Sequence, residues 1–395
     1  MAKIGMVLEG GGARGAYHVG VYQAYLEHGY RFDGFVGTSI GAINAATFAS
    51  HEFESALKLW ENISLCQLFD ADVAEVLEWE TAKAEGVLND RIKSVLSRVV
   101  AEKGIDTGKI RAFISTYIDE EAIRKAGLDV GLVTYSRTDK KPHELFVADI
   151  PEGMLIDYLM ASSNLPGFKA QMIGDKKFID GFVHNNLPVN MLTSKGYDEI
   201  IAVRTNSFGK IRDYDKTANV TVVSPYTDLA DTLAFSNENS RADIQVGYFD
   251  GLKAIRGLQG RYYYLRDVNL RGMLENLMFL KHDMLTELKQ FSAGKIVGNR
   301  ILFEQVMPRL GKYYKLGKEF TYEEVLIAML EHVAYRKGIE RFKIYDFDQF
   351  VELIKKTKTR SSLGGQLSSF DQFFMSSKVE TEKFIERFLL TLIEG

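Results

Sequence analysis

The chain opens on apolar runs that alternate with glycine-rich segments. Lys3 to Leu8 is a short apolar run of the kind a buried parallel strand shows. Gly10-Gly11-Gly12-Ala13-Arg14-Gly15 follows, and Ala16 to His28 then carries apolar positions near helical spacing through Val19, Tyr22, Ala24 and Leu26. Gly29 stands where the residue after a helix is expected. A second strand is predicted at Phe32 to Val36, running into Gly37-Thr38-Ser39-Ile40-Gly41, and a second helix starts with Ala42-Ile43-Asn44. The pattern is β-loop-α-β-loop-α. Both glycine-rich loops fall at carboxyl ends of strands, where open parallel sheets place their ligands.

Further along, the glycine-free stretch from Ala42 to Glu85 reads as helix, with Leu57, Trp60 and Ile63 near helical spacing. Residues 51–127 as a whole read as helical, flanking the sheet and forming part of a pocket wall. Asp129 to Tyr135 and His143 to Asp149 read as strands joined by a polar turn, and Glu199 to Arg204 as another. From about Arg266 onward strand signals vanish. Thr321 with Glu324 forms a capping box ahead of Val325, Leu326, Met329, Leu330 and Val333, and Asp346 with Gln349 suggests another helix start. Phe384, Ile385, Phe388, Leu389 and Leu392 make an apolar stripe. The expected architecture is α/β: a three-layer α/β/α sandwich with a mainly parallel sheet over residues 1–265, plus a helical accessory domain over 266–395.

Composition narrows the class. With 46% apolar and 26% charged residues among 395, the chain can bury a large core, which excludes disorder and fibrous repeats. A net charge of -4 offers no global attraction for nucleic acid. Cys66 is the only cysteine, so neither a disulfide framework nor a thiolate metal cluster can be built. The start, Met1-Ala2-Lys3, lacks the apolar run of a signal peptide, and no apolar stretch approaches the ~20 residues that span a bilayer. A reduced, cytoplasmic protein is the expectation. Ten of the 34 glycines lie in the first 41 residues, and the next is Gly86. Because glycine is costly inside regular elements, that clustering marks unusual turns or close backbone approach at the start of the chain.

Three chemical readings fit the loops. Gly10, Gly12 and Gly15 match G-x-G-x-x-G, the phosphate loop of a nucleotide-binding module. That reading needs an acidic residue at the end of the second strand, where the sequence has Gly37-Thr38-Ser39, and Asp33 lies at the strand's other end. Gly37, Ser39 and Gly41 match G-x-S-x-G, a nucleophile elbow, although an ordinary α/β-hydrolase has several strands before its elbow. Taken together, the first loop offers unpaired N–H groups at a helix start for an oxyanion, and the second offers a serine on the neighbouring strand. A serine also needs a base. The histidines are His18, His28, His51, His143, His184, His282 and His332, none in an obvious catalytic context; His184, four residues after Asp180, is the best of them. Asp180-Gly181 by itself reads as a plain turn.

With these residues in view, the chain resembles the patatin-like phospholipase family. Gly10-Gly11-Gly12-Ala13-Arg14-Gly15 is similar to its oxyanion motif, Gly37-Thr38-Ser39-Ile40-Gly41 to its nucleophile motif and Asp180-Gly181 to its aspartate motif. Asn186 and Pro188 downstream, Ala161-Ser162-Ser163 with Pro166 upstream, and Gly247-Tyr248 with Asp250 in a closing helix extend the resemblance over residues 3–260. It implies a Ser39–Asp180 dyad with Asp180 as base, an oxyanion hole at Gly10, Gly11, Gly12 and Arg14, and elbow glycines at Gly37 and Gly41. It implies a serine ester hydrolase acting on phospholipid, lysophospholipid or a related acyl ester through an acyl-enzyme, with no metal or cofactor. Arg14 reads equally as a brace for the loop or as a solvated first-turn arginine. Phe182 departs from the family, which has a second small residue after Asp-Gly; a ring there narrows the pocket or shifts the aspartate. The rivals are the nucleotide-binding module and a catalytically silent scaffold of the same fold.

Charge divides along the same line, with +3 over residues 266–395 and -7 over the rest. Lys355, Lys356, Lys358 and Arg360 precede a Ser/Gly-rich segment and then Phe370, Phe373, Phe374 and Met375. Such a run reads either as a peripheral membrane contact or, more plainly, as a solvated helix end followed by a core helix.

Overall fold

The computed structural model describes residues 2–50, 53–81, 90–280, 284, 300–358 and 379–394, and the chain divides into two compact units, Met1–Ile255 and Arg256–Gly395. The first unit is built on one sheet of eight strands: β1 (Ile4–Leu8), β2 (Gly34–Thr38), β3 (Asp129–Ser136), β4 (Lys141–Phe146), β5 (Gln171–Ile173), β6 (Lys176–Asp180), β7 (Glu199–Val203) and β8 (Asn219–Val223). β3, β2, β1, β7 and β8 lie side by side and parallel, as their near-continuous apolar character requires for strands covered on both faces. The architecture is a three-layer α/β/α sandwich with a mostly parallel central sheet, and further helices follow toward the carboxyl terminus.

Alternation along the strands assigns the faces. Phe35 packs its ring on Tyr22 of α1 (Ala16–Glu27) and Phe48 of α2 (Ile40–Ser50). Its neighbour Val36 packs on the other side, in a cluster with Val7, Val133, Val189 and Leu192. Helix Asn237–Arg256 lies against α1 at contact distance. A Cβ on Gly20 would stand 1.9 Å from the Ile244 carbonyl oxygen, and one on Gly247 would stand 2.1 Å from that of Tyr17. Tyr17 also donates its hydroxyl to Asp250 at 2.9 Å.

The antiparallel strands are arranged unusually. β4 pairs with one edge of β3 along Gly131–Ser136, so β2 and β6 must share the other. Thr38, the last residue of β2, pairs with Val133, and Asp180, the last of β6, pairs with Thr134. Two strands running in opposite directions thus end against consecutive residues of β3.

Several expectations change. The region read as one helix after Ala42 is broken into α2, then α3 (Phe53–Asn62), Leu65–Leu68 and Ala71–Thr81. The second strand starts two residues later than predicted, and β8 was not anticipated. In the second unit, β9 (Tyr264–Arg266) pairs in parallel with β10 (Ile344–Asp346), so this region is not purely helical. Three-residue strands are too short to carry a period. The helix expected to start at Asp346 is present as Phe347–Lys356 with Asp346 at its N-cap position, although the carboxylate forks onto the Arg266 guanidinium and bonds no N–H of that helix. The Thr321–Glu324 capping box is present in both directions, and the stripe from Phe384 to Leu392 is buried. Among the described residues no helix is long and apolar enough to cross a membrane.

Candidate active site

The turn from β2 into α2 holds Ser39 at φ 57, a left-handed conformation that costs a residue with a Cβ on the order of 1–2 kcal/mol. The turn is possible because its neighbours are bare. A Cβ on Gly37 would lie 2.3 Å from the Gly41 carbonyl carbon, and one on Gly41 would lie 2.2 Å from the Leu8 carbonyl oxygen. The Ser39 backbone N–H donates to the Ser162 hydroxyl at 3.0 Å, and that hydroxyl in turn donates to the Val133 carbonyl at 2.7 Å. Ser162 therefore locks the strained turn onto β3. The sequence marks it only through the resemblance of Ala161-Ser162-Ser163 to the family, with no role attached.

Asp180 is fully buried. Its backbone N–H donates to the Asn164 carbonyl at 3.0 Å, and its Oδ1 accepts the Phe182 N–H at 3.0 Å. Burial pushes its pKa up to about 7, and the Ser39 hydroxyl and the Phe182 N–H pull it part of the way back. Oδ2 has no partner that meets full hydrogen-bond geometry, although the Ser39 hydroxyl is close enough to favour the carboxylate. A buried carboxylate with one open oxygen beside a serine hydroxyl is arranged to accept a proton near neutral pH.

The first glycine loop is pinned from both sides. Gly10 donates to the Asn186 carbonyl at 3.1 Å and Ala13 to the Thr232 carbonyl at 2.8 Å. Gly10's carbonyl accepts the hydroxyls of Thr205, at 2.6 Å, and Ser207. The buried Glu9 accepts the N–H groups of Thr205 and Asn206 at 2.6 and 3.0 Å; burial raises its pKa, and Arg204 at 3.4 Å opposes that rise. This narrows the expected donor set. Gly10's N–H is spent on Asn186, leaving Gly11 and Gly12, whose N–H groups have no acceptor among the described residues. Arg14 resolves as a brace: its guanidinium donates to the carbonyls of Ala230 at 3.0 Å and Asn206 at 3.2 Å.

Ser39 and Gly12 open onto an apolar cavity. Ile40 and Ile43 of α2, Leu59 and Ile63 on and after α3, Leu68, Phe69, Phe113, Ile114, Met160 and Phe235 line it. The helices between residues 53 and 115 form one wall, as expected. Phe182 is not among the lining residues. Its ring turns outward onto Phe208, with centroids 6.2 Å apart, so the departure noted in the sequence does not narrow this cavity.

Among the described residues no histidine is hydrogen-bonded to Ser39 or Asp180, and His51 and His282 lie outside the described residues. His184 Nε2 lies 3.0 Å from an Arg212 nitrogen and 3.5 Å from Glu144, and burial lowers its pKa. His18 is buried beside Asn44, its pKa driven to about 3 by desolvation. Among the described residues no group of three or more His, Cys, Asp or Glu is placed to hold a metal ion. In the basic run, Lys355 and Lys356 pair with Glu352 at 3.2 and 3.5 Å, whereas Arg360 and Phe370 to Met375 lie outside the described residues.

The family model for patatin-like phospholipases matches residues 6–193. The chain is 28% identical over 208 residues to mouse patatin-like phospholipase domain-containing protein 7, which covers 52% of this chain and 14% of that protein. It is 28% identical over 202 residues to an uncharacterised NTE family protein of Mycobacterium tuberculosis, covering 51% and 30% respectively. The match therefore spans less than a third of either relative. Among solved structures, VipD from Legionella pneumophila aligns over 99% of this chain and 90% of its own, at 12% identity and a TM-score of 0.41.

Proposed function

Because the patatin-like phospholipase family model matches residues 6–193 of this chain, we propose that it is a lipid acyl hydrolase working through a Ser39–Asp180 dyad. The observation that carries the reading is the meeting of Ser39, strained at φ 57, with a fully buried carboxylate whose pKa lies near 7, at the mouth of an apolar cavity. Family membership supports lipid hydrolysis in general terms. The dyad, the substrate and the assignment of the activity to the first unit, with the second as an accessory domain, are our reading.

Ser39 Oγ attacks the acyl carbonyl carbon while Asp180 takes the hydroxyl proton. The N–H groups of Gly11 and Gly12 face the oxygen that becomes negative, and each such donor is worth about 3 kcal/mol in the transition state. Collapse breaks the ester bond, and the departing alcohol leaves with the proton from Asp180. Water then gives its proton to Asp180 and attacks the acyl-enzyme, and Ser39 regains a proton as the fatty acid departs. The apolar cavity holds the acyl chain at about 0.8 kcal/mol per buried methylene, so we assign the substrate as a phospholipid, a lysophospholipid or a related acyl ester.

The test is a lipid-class screen with the full chain and Ser39→Ala. Fatty acid released from phospholipid or lysophospholipid by the wild type and not by the variant supports the reading. Equal release by both, or none by either, contradicts it.

A further inference from the structure

We propose that the loop of residues 206–212 is a lipid-surface anchor that seats the active site on a bilayer, with Phe208 as the side chain that enters it. This rests on the lipid hydrolase reading and adds how that site meets its substrate.

Phe208 is 90% exposed, the most exposed large apolar side chain among the described residues, and Val183 and Ile211 are exposed beside it. The Phe182 ring underlies it in an edge-on contact. The loop is held firmly in this position. Lys210 donates its N–H to the Phe182 carbonyl at 3.0 Å, and Asn186 donates to the carbonyls of Lys210 at 2.6 Å and Phe208 at 3.4 Å. Gly209 lies so close over Asn186 that a Cβ would come within 2.6 Å of it. Ser207 binds the Gly10 carbonyl. A ring held this exposed on a well-tied loop is presented to whatever meets that surface, and its place in the fold gives a cause for the display.

Position supplies that cause. The loop is tied on one side to Gly10 in the oxyanion loop and on the other to Phe182, two residues after Asp180. Whatever Phe208 enters is thereby held beside the segments that carry Gly10 and Asp180. The apolar surface is a small convex knob, far below the roughly 800 Å² per partner that a stable protein interface buries. A bilayer accepts such a knob. Charge agrees modestly: residues 206–216 carry Lys210, Arg212 and Lys216 against Asp213 and Asp215, a net +1. Lys210 has no acidic partner among the described residues, while Arg212 is partly engaged by Glu144 at 3.6 Å and Asp215 by Thr217. Apolar insertion therefore carries the contact, and Lys210 adds attraction for anionic head groups.

The test uses the full chain in a Ser39→Ala background, so that binding is read without turnover. Cosedimentation with phosphatidylcholine vesicles containing phosphatidylglycerol is expected to fall about tenfold in Phe208→Ser. Phe208→Trp is expected to show a blue-shifted emission increment over the parent when vesicles are added. With Ser39 restored, Phe208→Ser should lose activity on vesicle lipid and keep turnover of a monomeric short-chain ester within about twofold. That monomeric turnover also separates the two ideas, because its absence in the wild type sinks the hydrolase reading while leaving the vesicle binding measured. Unchanged vesicle binding in Phe208→Ser overturns the anchor. So does unchanged vesicle binding accompanied by a shift in oligomeric state, which assigns the knob to a second copy of the chain.

Discussion

The hydroxyl of Ser162 accepts the backbone N–H of Ser39 at 3.0 Å and so fixes the strained turn that presents the Ser39 side chain. Without it, the Ser39 N–H and the Val133 carbonyl are left unpaired in a buried site, at about 1–3 kcal/mol for the pair. Ser162→Ala is expected to fold with a melting temperature lower by several degrees and to lose about tenfold in kcat with KM little changed. A fall in KM alone, or no change in kcat, would remove Ser162 from the positioning of Ser39.

The pKa of Asp180 sets both activity and stability against pH. If Asp180 is the base as proposed, kcat/KM on a monomeric ester should rise as pH climbs through about 7 and level off above it. Asp180→Asn should lose roughly 10²–10⁴-fold at the plateau. Stability moves the opposite way. The native carboxyl holds its proton more tightly than the unfolded one, so this contribution is complete below pH 3.8 and is lost as pH rises through about 7. Asp180→Asn should therefore melt above the wild type at pH 8 and close to it at pH 4. The buried Asp243, also raised to about 7 chiefly by desolvation, adds a slope of the same sign that remains in this variant.

The elbow depends on bare backbone. Gly41→Ala places a methyl 2.2 Å from the Leu8 carbonyl oxygen and 2.9 Å from that of Glu9, both on or beside the central strand. Neither is a side chain that can swing away. Gly41→Ala is expected to be insoluble or to melt far below the wild type, whereas Gly153→Ala, with nothing within 4 Å, should cost only its positive-φ strain, about 1 kcal/mol. Comparable melting temperatures for the two would count against the packed turn.

Much of this was readable from spacing. The two glycine loops, the strands that precede them and Ser39 at the elbow follow from short-range pattern, because strand, turn and helix signals there are local. Asp180 was different. In sequence it is an ordinary Asp-Gly turn, and it becomes a partner of Ser39 only because β6 runs antiparallel and ends against Thr134, next to where β2 ends against Val133. These pairings join residues 46 (Thr134 and Asp180) and 95 (Thr38 and Val133) positions apart, so local periodicity cannot show them. Resemblance to a family supplied that pair in advance, and Gly10 shows the limit of such transfer. It belongs to the motif, yet its N–H is occupied by the Asn186 carbonyl. The short β9 and β10 strands escaped for a plainer reason, since three residues carry no period.

Cavity shape gives a fourth expectation. Leu68 is buried and lines the cavity wall, so Leu68→Trp fills space an acyl chain would take. The ratio of long-chain to butyryl ester turnover should fall about tenfold or more, as expected for a few displaced methylenes. An unchanged ratio would place the acyl chain elsewhere.

The most direct test of the dyad is the rate and position of fluorophosphonate labelling, followed by intact mass and peptide mapping. One adduct on Ser39 is expected, absent in Ser39→Ala and formed at least a hundredfold more slowly in Asp180→Asn. Labelling at another residue, or undiminished labelling in Asp180→Asn, would contradict it.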